Sequence, residues 1–135
     1  MDTSQNLRLR ITQLLEAGKQ LDLDSWQATA NLRTFQNWAD LNKNTVHWEA
    51  WDNIAESLTL SDLILLVQML TIMERDFGWL GGSVASAIWV FRIVQHREPR
   101  VADLLAEWIS QRTHNDWLPY GKFCQKKMPR PRNLE

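Results

Sequence analysis

Three observations predict an all-α fold of about six helices, arranged as a compact orthogonal bundle or a short HEAT-like stack of three helix pairs. Apolar residues recur at i, i+3, i+4 and i+7 along nearly the whole 135-residue chain. Strand-like alternation is nearly absent. Only five glycines and four prolines interrupt the pattern. The length suits one domain over 1–121, with an irregular basic tail over 122–135.

The first helix is expected over 4–17, where Leu7, Ile11, Leu14 and Leu15 form a one-sided apolar stripe and Gly18 is placed to end it. The second runs from an Asp24 or Ser25 cap to about 41. There Ala28, Leu32, Phe35 and Ala39 share a face, Trp38 lies at its edge and Trp26 points nearly the opposite way. A short third helix over 45–57 has Trp48, Trp51, Ile54 and Ala55 on one side and Glu49, Asp52 and Glu56 on the other.

Thr59, with Asp62 three residues on, resembles a capping box and opens a fourth helix reaching about 77. Residues 63–73 are almost all apolar, so this helix should be covered on several sides. The fifth, expected over 83–96 with Ser83 as its cap, is equally apolar and completes the buried centre. Pro99 suits the first turn of a sixth helix to about 112, with Val101, Leu104, Leu105, Trp108 and Ile109 as its buried stripe. Beyond it 113–121 is turn-like, and Pro129 and Pro131 prevent further helix.

Composition bounds the setting. Cys124 is the single cysteine, so neither an intrachain disulfide nor a cysteine metal site can close, and a cytoplasmic, reducing environment is expected. The first twenty residues alternate charge with leucine, unlike a secretory signal, and 63–73 is too short an apolar block to span a bilayer; a soluble protein with no membrane role is expected. The net charge of −1 conceals an acidic body, ten Lys and Arg against fifteen Asp and Glu over 1–121, and a tail carrying Lys122, Lys126, Lys127, Arg130 and Arg132 against Glu135 alone. The closing Leu134-Glu135 reads as a cloning-site remnant and is set aside.

Chemistry-bearing motifs are scarce. His47/Glu49 and His96/Glu98 are spaced two apart, which turns them about 200° from each other on a helix and prevents chelation from one face. His114 has no better partner, and no metal is expected. Gly81-Gly82-Ser83 lacks the strand-to-helix elbow of a hydrolase nucleophile and the lysine of a phosphate loop. Cys124 has no recognisable base. Glu74 and Asp76, flanking Arg75, read as charges at a helix end. No catalytic residue and no cofactor is therefore expected.

Eight tryptophans remain to be placed, each a large apolar body with one N–H to satisfy. Trp89 and Trp108 fall inside apolar stripes and are expected in the core. Trp48 and Trp51 fit either packing or a two-indole anchor, whereas Trp26, Trp79 and Trp117 lie off the stripes or in connections. The candidate partner-binding set is therefore Trp26, Trp48, Trp51, Trp79, Trp117, Tyr120, Arg97 and Arg100. Together these readings point to a non-enzymatic protein-interaction domain, an adaptor or inhibitor of a cognate protein. The alternatives are nucleic-acid binding by the basic tail and an enzyme using Glu74, Asp76 or a histidine in a pocket near Trp79. Protein binding predicts an exposed patch with at least two of the five candidate tryptophans; an enzyme predicts a concavity with converging titratable groups.

Overall fold

The computed structural model of the chain describes residues 3–22, 35, 38, 48–77, 79 and 85–120, with side chains for all of these except 3–6 and 48–50. Five helices occupy them: α1 Thr3–Gly18, α2 Trp48–Glu56, α3 Leu60–Phe77, α4 Ser86–Arg97 and α5 Pro99–Ser110. The helix expected over 24–41, Ser83 and the basic tail lie outside the described residues. The all-α class holds, with the helices packed as a bundle around α3.

α3 is central because it is apolar nearly all round. It packs against α1, α4 and α5, while α1 and α4 each also touch α2. Leu63, Leu66, Val67, Met69, Leu70, Ile72 and Met73 are buried along it. Thr71 is accommodated in this apolar setting because its Oγ1 donates to the Val67 carbonyl at 2.8 Å. At the start of α3, Thr59 Oγ1 accepts the Asp62 N–H at 3.1 Å, the first half of the expected capping box. The Asp62 carboxylate stands 3.6 Å from Lys19 Nζ, an exposed pair that adds little stability.

α1 buries Leu7, Ile11, Leu14 and Leu15, the stripe expected of it. Gly18 ends the helix, as expected, but not as a left-handed cap. The chain instead leaves α1 through tight turns, Gln20 N–H to the Ala17 carbonyl and Leu21 N–H to that of Gly18. What demands glycine there is close approach to α3, since a β-carbon would meet the Met69 sulfur at 2.6 Å.

α4 begins later than expected, at Ser86, and Ala85, with φ −58° and ψ 139°, occupies its N-cap position without a side-chain cap bond. Glu98 then links α4 to α5: its N–H donates to the Val94 carbonyl at 2.8 Å, and its own carbonyl accepts the Ala102 N–H at 3.0 Å. Pro99 follows at the first turn of α5, where its missing N–H costs nothing.

Beyond α5 the turn over 113–120 is pinned back onto α3. Asn115 Nδ2 donates to both carboxylate oxygens of the buried Glu74, at 3.1 and 3.2 Å, and Asn115 Oδ1 accepts the Trp117 N–H at 2.9 Å. Next to it Arg75 donates to both Asp76 oxygens at 2.8 Å. That hydrogen bond raises the Arg75 pKa, more than burial lowers it, and keeps the guanidinium charged. Glu74 and Asp76 were expected as simple charges at a helix end; Glu74 is instead buried and holds the turn to α3 through Asn115, while Asp76 pairs with its neighbour Arg75. Leu118 is buried beside a cis Leu118-Pro119 peptide.

Candidate functional site

The tryptophans divide differently from the sequence expectation. Trp79 is 0% exposed and Trp51 only 2%, so both belong to the core and neither can anchor a partner. The pocket pictured near Trp79 for an enzyme loses its aromatic rim by the same fact. Burial of the large apolar body of an indole outweighs its position between two helices in the sequence. Trp117 and Tyr120 pack partly buried on the core, with Tyr120 edge-on to Phe91 at 5.5 Å between centroids. Trp38 lies at the core edge, as expected, 4.9 Å from Phe35 and with the Arg10 guanidinium 5.0 Å over its ring. Trp26 and the side chain of Trp48 lie outside the described residues, as do Lys122, Lys126, Lys127, Arg130 and Arg132. The two-tryptophan patch is thus not assembled among the described residues.

Two surfaces emerge instead. The first is a cleft of about 660 Å³ between α2 and α4, lined by Asp52 and Glu56 from one helix and by Trp89, Arg92, Ile93, His96 and Arg97 from the other. Helical geometry gathers them. Positions 89, 92, 93, 96 and 97 follow the i, i+3, i+4, i+7, i+8 rhythm of a single face, and 52 and 56 are one turn apart. Ala87, Val90, Phe91 and Val94 hold the opposite face of α4 in the core. Cover on several sides holds for α4, but Trp89, expected in the core, is only partly buried, as is Ile93.

Charge in the cleft is divided by wall, carboxylates on α2 and cations on α4. The Arg92 guanidinium sits 5.5 Å from the Trp89 ring centroid, in cation–π range. Arg97 is committed elsewhere: Nη1 donates to the Leu58 carbonyl at 3.0 Å, and Nη2 to those of Ala55 and Glu56 at 3.2 and 3.3 Å. It closes the C-terminal end of α2, where unsatisfied carbonyls and the helix dipole favour a cation. Arg97 therefore shapes the cleft as much as it lines it. His96 is exposed there, His114 is exposed on the far turn, and among the described residues no three His, Cys, Asp or Glu side chains come together as a ligand set.

The second surface is on α5. Its buried residues are Ala102, Leu105, Ala106 and Ile109, so Val101 and Trp108 reach the core only in part and Leu104, expected in the buried stripe, is 72% exposed. Val101, Leu104 and Trp108 lie within about 60° of each other around the helix, a contiguous apolar shoulder. Trp108 is held in place, with the Arg112 guanidinium 4.4 Å from its ring centroid and Arg112 Nη1 donating to the Trp108 carbonyl at 3.0 Å. Arg100, exposed at the start of α5, borders this shoulder.

Asp52, Glu56, Trp89, Arg92, Ile93 and Leu104 were not among the sequence candidates for binding a partner, nor was His96, which entered only as a metal ligand or an enzyme's histidine. The signal that finds the α4 set is the wheel itself: a helix otherwise apolar carries its Arg and His at 92, 96 and 97, on one arc with Trp89. No protein-family model, curated protein or solved structure matches the chain.

Proposed function

We propose that this chain is a helical protein-interaction domain, an adaptor or inhibitor that acts by binding a cognate protein through the cleft between α2 and α4. The observation that carries this reading is the composition of the α4 wall. Trp89 and Ile93 form an apolar floor bordered by Arg92, His96 and Arg97, and Asp52 and Glu56 face them from α2. Aromatic and arginine side chains at the centre with charge at the rim are what protein interfaces enrich. The divided charge favours a partner segment that presents an apolar side chain between an acid and a base. The single cysteine fits a cytoplasmic site of action.

The test is affinity capture from the native host with the chain and with its Arg92→Glu and Asp52→Lys variants, followed by reconstitution of the captured protein in purified form. Both substitutions lie at partly exposed positions, so the fold should melt within about 2 °C of the parent. Binding should weaken at least about tenfold in each variant, equivalent to roughly 1.4 kcal/mol. Equal affinity of all three chains for the purified partner would remove the cleft from the binding surface.

The same concavity supports a second reading, a small enzyme, since Asp52, Glu56 and His96 are titratable groups converging on one space. Against it, the described residues of the lining include no serine, cysteine or lysine, so any chemistry there would fall to the two carboxylates and His96. The two readings separate on His96→Ala, which abolishes turnover in an acid–base enzyme but only trims one rim contact of a protein interface.

A further inference from the structure

We propose that two copies of this chain pair through α5, antiparallel about a two-fold axis at Leu104. The surface is separate from the cleft, whose lining includes none of Val101, Leu104 or Trp108. Two observations select a second copy as the occupant. The first is that the apolar shoulder is nearly symmetric along the helix. At about 1.5 Å rise per residue, Val101 stands about 4.5 Å before Leu104 and Trp108 about 6 Å after it. Reversing a second helix about Leu104 therefore brings Val101 level with Trp108 of the second copy to within about 1.5 Å, and Leu104 onto itself.

The second observation is charge. Arg100 and Glu107, both exposed, are seven residues apart and so lie on the same flank of the shoulder, Arg100 about 6 Å before Leu104 and Glu107 about 4.5 Å after it. A two-fold axis between facing antiparallel helices sets like flanks opposite each other. Arg100 of each copy then faces Glu107 of the other, giving two reciprocal ion pairs around an apolar centre. Neither side chain makes an ion pair or hydrogen bond with another side chain among the described residues, so both charges are available. A parallel two-fold pairing would instead lay the Arg100 and Glu107 flank of each copy against the Val101 and Trp108 flank of the other, leaving the charges without partners against apolar side chains.

Sedimentation equilibrium of the full chain from about 1 µM to about 1 mM should show a reversible shift from the mass of one chain to that of two. Leu104→Glu removes a 72% exposed side chain, so it leaves the melting temperature of the monomer intact while weakening the dimer at least about 100-fold. Arg100→Glu and Glu107→Arg should each weaken it about tenfold, by setting like charges opposite one another twice over. Mixed in equal amounts, these two single variants should form a heterodimer, because each restores opposite charge to the other. The double variant Arg100→Glu/Glu107→Arg should dimerise like the parent. Arg92→Glu, in the cleft, should leave dimerisation unchanged while it weakens the partner described above. A single-chain mass throughout the range, a dimer indifferent to Leu104→Glu, or mixed variants that stay monomeric would each overturn the pairing.

Discussion

Gly18→Ala tests a close approach between α1 and α3. A β-carbon at this position would stand 2.6 Å from the Met69 sulfur and 3.2 and 3.3 Å from the two δ-carbons of Leu65, against about 3.5–4.0 Å for an ordinary non-bonded contact. Leu65 is partly exposed and can rotate away. Met69 is 0% exposed and packed in the core, so its flexible side chain must shift among close-packed neighbours or α1 must lift from α3. Overpacking of this kind costs about 1–3 kcal/mol. Alanine returns about 0.4–1 kcal/mol by restricting the unfolded chain, because Gly18 does not need a left-handed backbone. The net expectation is a loss of about 1–2 kcal/mol.

Urea denaturation followed by circular dichroism would read that loss directly, and a melt should fall by about 4 °C for each kcal/mol in a chain of this size. The decisive comparison repeats Gly18→Ala in a Met69→Ala background. Removing the sulfur makes room for the new methyl, so the penalty should shrink by at least about 1 kcal/mol or change sign. A Gly18→Ala protein as stable as the parent, or an unchanged penalty in the Met69→Ala background, would refute the close-approach argument.

Other substitutions address the remaining contacts. Asn115→Ala removes the amide that serves both oxygens of the 7% exposed Glu74, and should cost about 1.5–3 kcal/mol in urea unfolding. Thr59→Ala removes the acceptor for the Asp62 N–H at the start of α3, with an expected loss of about 1 kcal/mol and faster amide exchange in the first turn of that helix. Arg97→Ala frees the Ala55, Glu56 and Leu58 carbonyls, so hydrogen exchange should accelerate over 52–58 while the rest of the bundle keeps its protection. Trp51→Ala empties a core site and should cost about 3–5 kcal/mol, which makes it a stability probe and disqualifies it as a probe of binding.

The helices were legible in the sequence wherever one apolar stripe matched one neighbour. α1 is such a case, since its four stripe residues are all buried, and α3 is another, since uniform apolarity forecast cover on several sides. Boundaries were harder. Ser83 is an obvious cap by residue type and lies outside the described residues, and α4 starts at Ser86 behind Ala85, which offers no capping side chain. Arg97 looked like an interface residue by type and proved to close the end of α2; its acceptors lie about forty residues away in the sequence, where no local pattern can point to them. Trp79 was misplaced because a glycine-flanked segment suggests surface, whereas the size of the indole decided for the core.

The candidate surfaces escaped the sequence for a single physical reason. Apolar residue type shows how wide the hydrophobic arc of a helix is, but not how much of that arc its neighbours can reach. On α5 the arc from Leu104 round to Ala106 covers about 200°, and the packing against α3 and α4 uses only the part carrying Ala102, Leu105, Ala106 and Ile109. The remainder is left in water. Exposure by itself does not mark a site, and Leu9 shows why: at 49% exposed it stands on α1 with exposed Arg8, Thr12 and Gln13 around it, an isolated leucine of the kind any surface tolerates. Leu104 differs in its company. Val101 and Trp108 extend it along the helix, Arg112 fixes the indole beside it, and Arg100 and Glu107 border it with opposite charges. Contiguity and oriented charge are what turn an uncovered leucine into a surface with one preferred occupant.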